Sequence, residues 1–127
     1  MDLLDTRVYE LIGEEGFRRL VAAFYARVRG DDILSPLYPE QDLAGAEERL
    51  RDFLIGRFGG PMRYVERRGH PRLRMRHFPF RIGPIEHDAW LRCMRIAVDE
   101  ADLDDDHRAQ LWQYLQYAAI SMMNADF

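Results

Sequence analysis

The 127-residue chain has 18 basic and 22 acidic residues, a net charge of −4, with 47% hydrophobic and 31% charged residues. That length suits one domain over residues 1–127, the balance excludes a disordered chain, and the negative charge argues against nucleic acid as the main partner. No apolar run approaches the roughly 18 residues that span a bilayer and the opening MDLLDTRVYE has no apolar signal segment, so a cytoplasmic protein without membrane contact is expected.

The periodicity is helical from end to end. Phe17, Leu20, Val21, Phe24, Tyr25 and Val28 recur at the spacing of one apolar helix face, and this helix should end near Gly30. Ser35-Pro36-Leu37-Tyr38-Pro39 reads as a turn-rich connection, because each proline biases its predecessor away from helix. Asp42 is a good N-cap for a second helix that carries Leu43, Ala46, Leu50, Phe53, Leu54 and Phe58 on one side. Gly59-Gly60-Pro61 stops it.

From Met62 to Gly83 the period is lost, and only a short helix around Pro71–His77 is expected, with Pro71 in its first turn. Pro84 then opens a helix bearing Trp90, Leu91, Met94, Ala97, Val98 and Ala101. Asp104-Asp105-Asp106 complements the N-terminal dipole of a last helix, which carries Leu111, Leu115, Ala118, Ala119 and Met122. No alternating strand pattern competes, so the fold class is all-α.

The single cysteine, Cys93, allows no intramolecular disulfide and no zinc or iron–sulfur site built on thiolates. It reads as a small buried hydrophobe. The four histidines, His70, His77, His87 and His107, form no HxxxH or HExxH pair, which gives a zinc hydrolase little support. His87 and His107, near helix starts among acids, read as solvated. A lone histidine in the irregular stretch is more often structural than a ligand.

The stretch ERRGHPRLRMRHFPFRIG sets Arg67, Arg68, Arg72, Arg74, Arg76 and Arg81 against Glu66 alone. Every cation in the chain is an arginine, able to make forked hydrogen bonds. Composition leaves three readings of this stretch: a solvated face, a nucleic-acid patch short of stacking aromatics, or a clamp for small carboxylates. Tyr25, Tyr38 and Trp90 add three polar donors on or near apolar faces, either ordinary core positions or the wall of a polar pocket. No nucleophile–base pair, phosphate-cradling glycine loop or paired acids suggest hydrolysis.

The runs LYPEQDLAGAEERLRDFL, GGPMRYVERRGHPRLRMRHFPFRIG and DAWLRCMR resemble the second group of truncated haemoglobins, over about Tyr9 to Asn124. The block RGHPRLRMRH is long and specific. The resemblance implies a two-over-two helical sandwich around a b-type haem, with a short first helix and an irregular stretch before the iron ligand. It makes His77 the proximal ligand, whose second ring nitrogen needs an acceptor. Tyr25, Tyr38 and Trp90 match the residues around the bound ligand, and Ala46 stands where oxygen-storage globins carry a distal histidine. Leu50, Phe53, Leu73, Phe80 and Ile82 match haem-contacting positions, and Arg49, Tyr64, Arg74 and Arg76 match the propionate edge. His70 either joins that edge or caps a turn.

Two departures stand out. Arg57-Phe58 replaces the family's Tyr-Trp before Gly59-Gly60-Pro61, keeping an aromatic without its N–H, and Met62 replaces a frequent arginine.

With alanine at the gate, hydrogen bonding to a bound diatomic ligand falls to the Trp90 indole and the tyrosine hydroxyls. The resemblance therefore implies a five-coordinate haem iron that takes dioxygen, carbon monoxide or nitric oxide and releases oxygen slowly. That suits a scavenger, a sensor or a redox catalyst better than a bulk carrier. The alternative is a redox enzyme, peroxidase-like or a nitric oxide dioxygenase with an external reductase. A haem-free interaction module is a third reading and requires the His77 block to be vestigial. The family's oligomers vary, which leaves homo-oligomerisation open.

Overall fold

A computed structural model describes residues 7–39, 42–69 and 72–125, and among these every regular element is a helix. The elements are α1 (Arg7–Arg29), a short 3-10 turn (Ser35–Leu37), α2 (Leu43–Arg57), α3 (Arg63–Arg68), α4 (Leu73–His77), α5 (Pro84–Glu100) and α6 (Asp105–Ser121). α1 packs on α2 and on α5, and α5 packs on α6. The pairs α1/α2 and α5/α6 thus lie against each other through α1 and α5, the two-over-two arrangement expected from the resemblance. Among the described residues no helix is long and apolar enough to cross a membrane.

α1 starts well before the apolar face that marks it in the sequence. It is broken at Gly13 (φ 65°, ψ −172°), a conformation that only a residue without Cβ adopts at little cost, so a short first segment precedes the main helix. Phe17, Leu20, Val21, Phe24, Tyr25 and Val28 are all buried, as their spacing predicts. Beyond α1, Asp31 organises the turn. Its Oδ1 accepts from the backbone N–H of Ile33 (3.0 Å) and Leu34 (2.9 Å), while Oδ2 receives Arg92 Nη2 of α5 at 2.8 Å. The connection that carries Tyr38 is therefore tied both to itself and to α5.

Asp42 does occupy the N-cap position of α2, but its side chain does not cap. It accepts from Arg49 Nη2 at 2.7 Å instead, a charge-assisted bond that outcompetes a neutral backbone N–H. The helix ends at Arg57, with Gly59 at φ 102° just beyond it and the Gly60 N–H returning to Ile55 O at 2.8 Å. Gly60 also permits a close approach: a Cβ there would lie 2.7 Å from the Tyr9 ring.

The stretch after Met62 holds more helix than its lost period suggests. α3 comprises six residues, of which only Tyr64 is buried, too few turns for a repeat to register. Tertiary contacts hold it. Tyr64 packs edge-on against Phe53 (centroids 5.7 Å, 78°), and Arg67 reaches Glu48 at 2.8 Å and the buried Asp52 at 3.3 Å on α2. α4 falls where the short helix was expected, whereas His70 and Pro71 lie outside the described residues.

α5 opens on Pro84, with the Gly83 N–H bonded to the Glu86 carboxylate at 2.8 Å. Asp104 caps α6 by accepting the His107 N–H at 2.9 Å, so the acidic run acts as its position predicts. The two histidines read as solvated are not. His87 and His107 side chains are only 17% and 16% exposed, and each Nδ1 pairs with a neighbouring carboxylate, Asp88 at 2.9 Å and Asp104 at 2.7 Å. Cys93 is buried, as expected.

The core centres on stacked aromatics. Phe58 meets Phe17 (6.1 Å, 26°) and the edge of Tyr114 (5.6 Å, 90°), while Arg57 lies 4.5 Å from the Tyr114 ring centroid. The Phe58 side chain is fully enclosed, so no indole N–H has to be satisfied at this position. Phe58→Ala should cost about 3–5 kcal/mol, read as a lower denaturant midpoint at unchanged slope. A loss below about 1 kcal/mol would mean that Phe17 and Tyr114 close the gap.

Candidate functional site

Between these helices lies a cavity of about 480 Å³, most of its wall apolar. α2 presents Ala46, Arg49, Leu50 and Phe53 to it, and the segment after α3 presents Arg76, His77, Phe80 and Ile82. Tyr25 of α1, Tyr38 of the turn, Tyr64 of α3 and Trp90 of α5 border the same cavity. Residues from all parts of the chain thus meet at one place. The side chains of Leu73 and Arg74 lie outside the described ones.

The three donors form one connected cluster. Tyr38 meets Tyr25 edge-on at 5.5 Å and 90°, and Phe24 wedges between Tyr25 (5.0 Å) and Trp90 (5.3 Å) from the core side. The Tyr25 hydroxyl donates to the Ala46 carbonyl at 3.4 Å, which ties α1 to α2 at the residue whose small side chain leaves that side of the cavity open. Burial pushes the Tyr25 phenol well above its ordinary range, and the neighbouring Tyr38 adds to the rise. Burial raises Tyr38 as well, against the opposing pull of its hydrogen bonds with Tyr25 and Trp90. Both hydroxyls therefore keep their protons near neutral pH.

One end of the cavity is cationic. Arg49, Arg68 and Arg76 line it beside Tyr64, and the same four residues border an adjoining polar cleft of about 530 Å³ with Glu48, Asp52 and Arg67. Arg76 Nη2 donates to the Arg68 carbonyl at 3.0 Å and its guanidinium lies 5.8 Å from the Tyr64 ring. Arg63 and Arg67 are held by carboxylates of α1 and α2 instead. The arginine stretch divides: part of it ties α3 down, and part faces the cavity.

Sequence reasoning missed several residues that line the same space: Leu34, Arg68, His87, Tyr114, Ala118 and Met122. Arg68 is visible only as one arginine among many. Ala118 does lie on the apolar face of α6, where a core position and a cavity wall look alike.

This arrangement accompanies clear similarity to known proteins. The sequence matches the bacterial-like globin family over residues 7–124. It is 42% identical over 116 residues to the group 2 truncated hemoglobin YjbI of Bacillus subtilis, covering 91% of this chain and 87% of that one. The chain belongs to the group II truncated haemoglobins. This truncated haemoglobin superposes on the thermostable hemoglobin of the actinobacterium Thermobifida fusca with a TM-score of 0.89 at 58% identity, over 92% of this chain and 96% of that one. On the truncated oxygen-avid haemoglobin of Bacillus subtilis the TM-score is 0.86 at 42% identity, over 91% and 98%. Membership in a globin family implies a haem cofactor and small gaseous ligands.

Proposed function

We propose that this truncated haemoglobin holds a b-type haem in the cavity, with His77 as the iron ligand, and binds dioxygen, carbon monoxide or nitric oxide beside Tyr25, Tyr38 and Trp90. One observation carries the reading: the imidazole-bearing segment, the three-donor cluster and the arginine-lined end all border a single, mainly apolar cavity. A haem is a flat apolar ring with two carboxylates on one edge, and the lining matches that polarity. When bound, it supplies an iron with one position for His77 and one for a diatomic ligand.

Each group in the chain has a distinct task. Leu50, Phe53, Phe80 and Ile82 line the cavity and would exclude water from the bound ring. Arg49, Arg76 and Tyr64 would hold the haem carboxylates, where forked guanidinium bonds suit planar anions. Arg49 is already oriented by Asp42. The Trp90 indole can only donate, whereas the tyrosine hydroxyls can donate or accept and so link the cluster. With Ala46 at the gate contributing no polar group, retention of the ligand rests on these donors. Slow oxygen release from a five-coordinate ferrous state is the consequence, and the oxygen-avid relative from Bacillus subtilis is in keeping with it. The single, buried Cys93 provides no thiol pair for covalent attachment, which supports a non-covalent, b-type haem.

Absorption spectra of the purified, haem-reconstituted chain test this. A Soret band should appear and shift on reduction, again with carbon monoxide, and again in air, with the last spectrum persisting. A chain that takes up no haem after reconstitution would sink the proposal.

A further inference from the structure

The last of the described residues point to a group that neither the motif nor the resemblance singles out. α6 ends at Ser121, and the four residues beyond it turn back across the segment that follows His77. Asn124 meets that segment with nearly every polar group it has. Its backbone N–H donates to Ile82 O at 2.9 Å, and its Oδ1 accepts from Ile82 N–H at 2.8 Å. Its Nδ2 donates to Phe80 O at 2.7 Å and, at 3.4 Å, to His77 O. The Ala125 N–H adds a second bond to Ile82 O at 3.2 Å.

The segment needs such help. Between α4 and α5 it forms no regular helix, and Pro79 has no N–H to give. Its internal support among the described backbone bonds is the pair Phe78 N–H to Met75 O and Phe80 N–H to His77 O. Three of its side chains, His77, Phe80 and Ile82, line the cavity, so the conformation of this backbone determines how they are presented. A carboxamide is the side chain that can accept from Ile82 and donate to Phe80 at once. An aspartate can accept but not donate, and would turn a negative charge on two carbonyl oxygens.

We infer that Asn124 is a positioning residue for the proximal side of the site: it clasps the chain from His77 to Ile82 and thereby sets the orientation in which the His77 imidazole would be presented to the iron. This rests on the haem reading given above. It extends that reading by coupling the end of α6 to the presentation of the iron ligand, while α6 also walls the cavity through Ala118 and Ala119.

The test uses the haem-loaded full chain, with Asn124→Ala and Asn124→Asp. Haem transfer to excess apomyoglobin should be about tenfold faster in both, in the range seen when a group that orients a metal ligand is lost. The iron–histidine stretching band of the ferrous protein should shift or split, while far-ultraviolet circular dichroism stays that of the parent. An unchanged band and an unchanged transfer rate in both variants would overturn the inference. Should the variants fold poorly, backbone amide exchange in the parent protein decides: Ile82 protected together with the end of α6 is the expected result, and free exchange at Ile82 overturns it. A parent chain with no Soret band removes the role at the iron by defeating the haem reading itself. Ile82 protection reports the clasp separately, so the two failures are told apart.

Discussion

His77→Ala should abolish haem retention, and added imidazole should restore the Soret band. The substitution is a clean probe because of where the residue sits. His77 is the last residue of α4, and the bonds that secure its backbone, from Phe80 N–H at 2.9 Å and Asn124 Nδ2 at 3.4 Å, go to its carbonyl oxygen. Alanine keeps both and is a good helix former. Losing a group that merely orients a metal ligand costs roughly 10–100-fold in affinity, so losing the ligand itself should cost more than that. The imidazole-sized space left behind is the reason external imidazole should substitute. Retention of haem in His77→Ala without imidazole would assign the iron to another residue of the cavity wall, with His87 the first to test.

Trp90→Phe should accelerate oxygen release by about ten- to a hundredfold. The ring is kept, so the edge contact with Phe24 at 5.3 Å and the packing of α5 on α1 survive, and only the indole N–H goes. A hydrogen bond to a group bearing charge contributes about 1.5–3 kcal/mol, which converts to that range in rate at 1.4 kcal/mol per decade. The indole also pulls against the burial-driven rise of the Tyr38 phenol, so losing the N–H alters the cluster as well as removing a donor. Stopped-flow displacement of oxygen by carbon monoxide measures the rate directly. An off-rate equal to that of the parent would take Trp90 out of ligand retention and leave the task to the tyrosines.

Much of the fold was legible because helices advertise themselves locally. The apolar positions from Phe17 to Val28, from Leu43 to Phe58 and from Trp90 to Val98 repeat within a few turns, and each repeat became a packed face. The punctuation was equally plain: Gly59-Gly60-Pro61 ends α2, Pro84 starts α5 and Asp104 caps α6. α3 escaped because six residues with one buried side chain, Tyr64, make no repeat. Asp42 shows the opposite error. A residue type suited to capping was at the right position, but Arg49, seven residues on, offered its carboxylate a stronger partner.

The site divides in the same way. His77, Tyr25, Tyr38 and Trp90 are singled out as candidates only through resemblance over nearly the whole chain, since no spacing rule distinguishes one histidine in an arginine-rich stretch as a ligand. Helical period and turn chemistry, properties of neighbouring residues, were written in the sequence alone, and they determined an all-α chain and where most of its helices lie. Which arginines face the cavity, that His87 is withdrawn from solvent, and that Asn124 reaches Ile82, Phe80 and His77 across 42, 44 and 47 residues were decided only by the tertiary structure. Those contacts join segments whose separation is set by how the helices pack, and no local pattern records it.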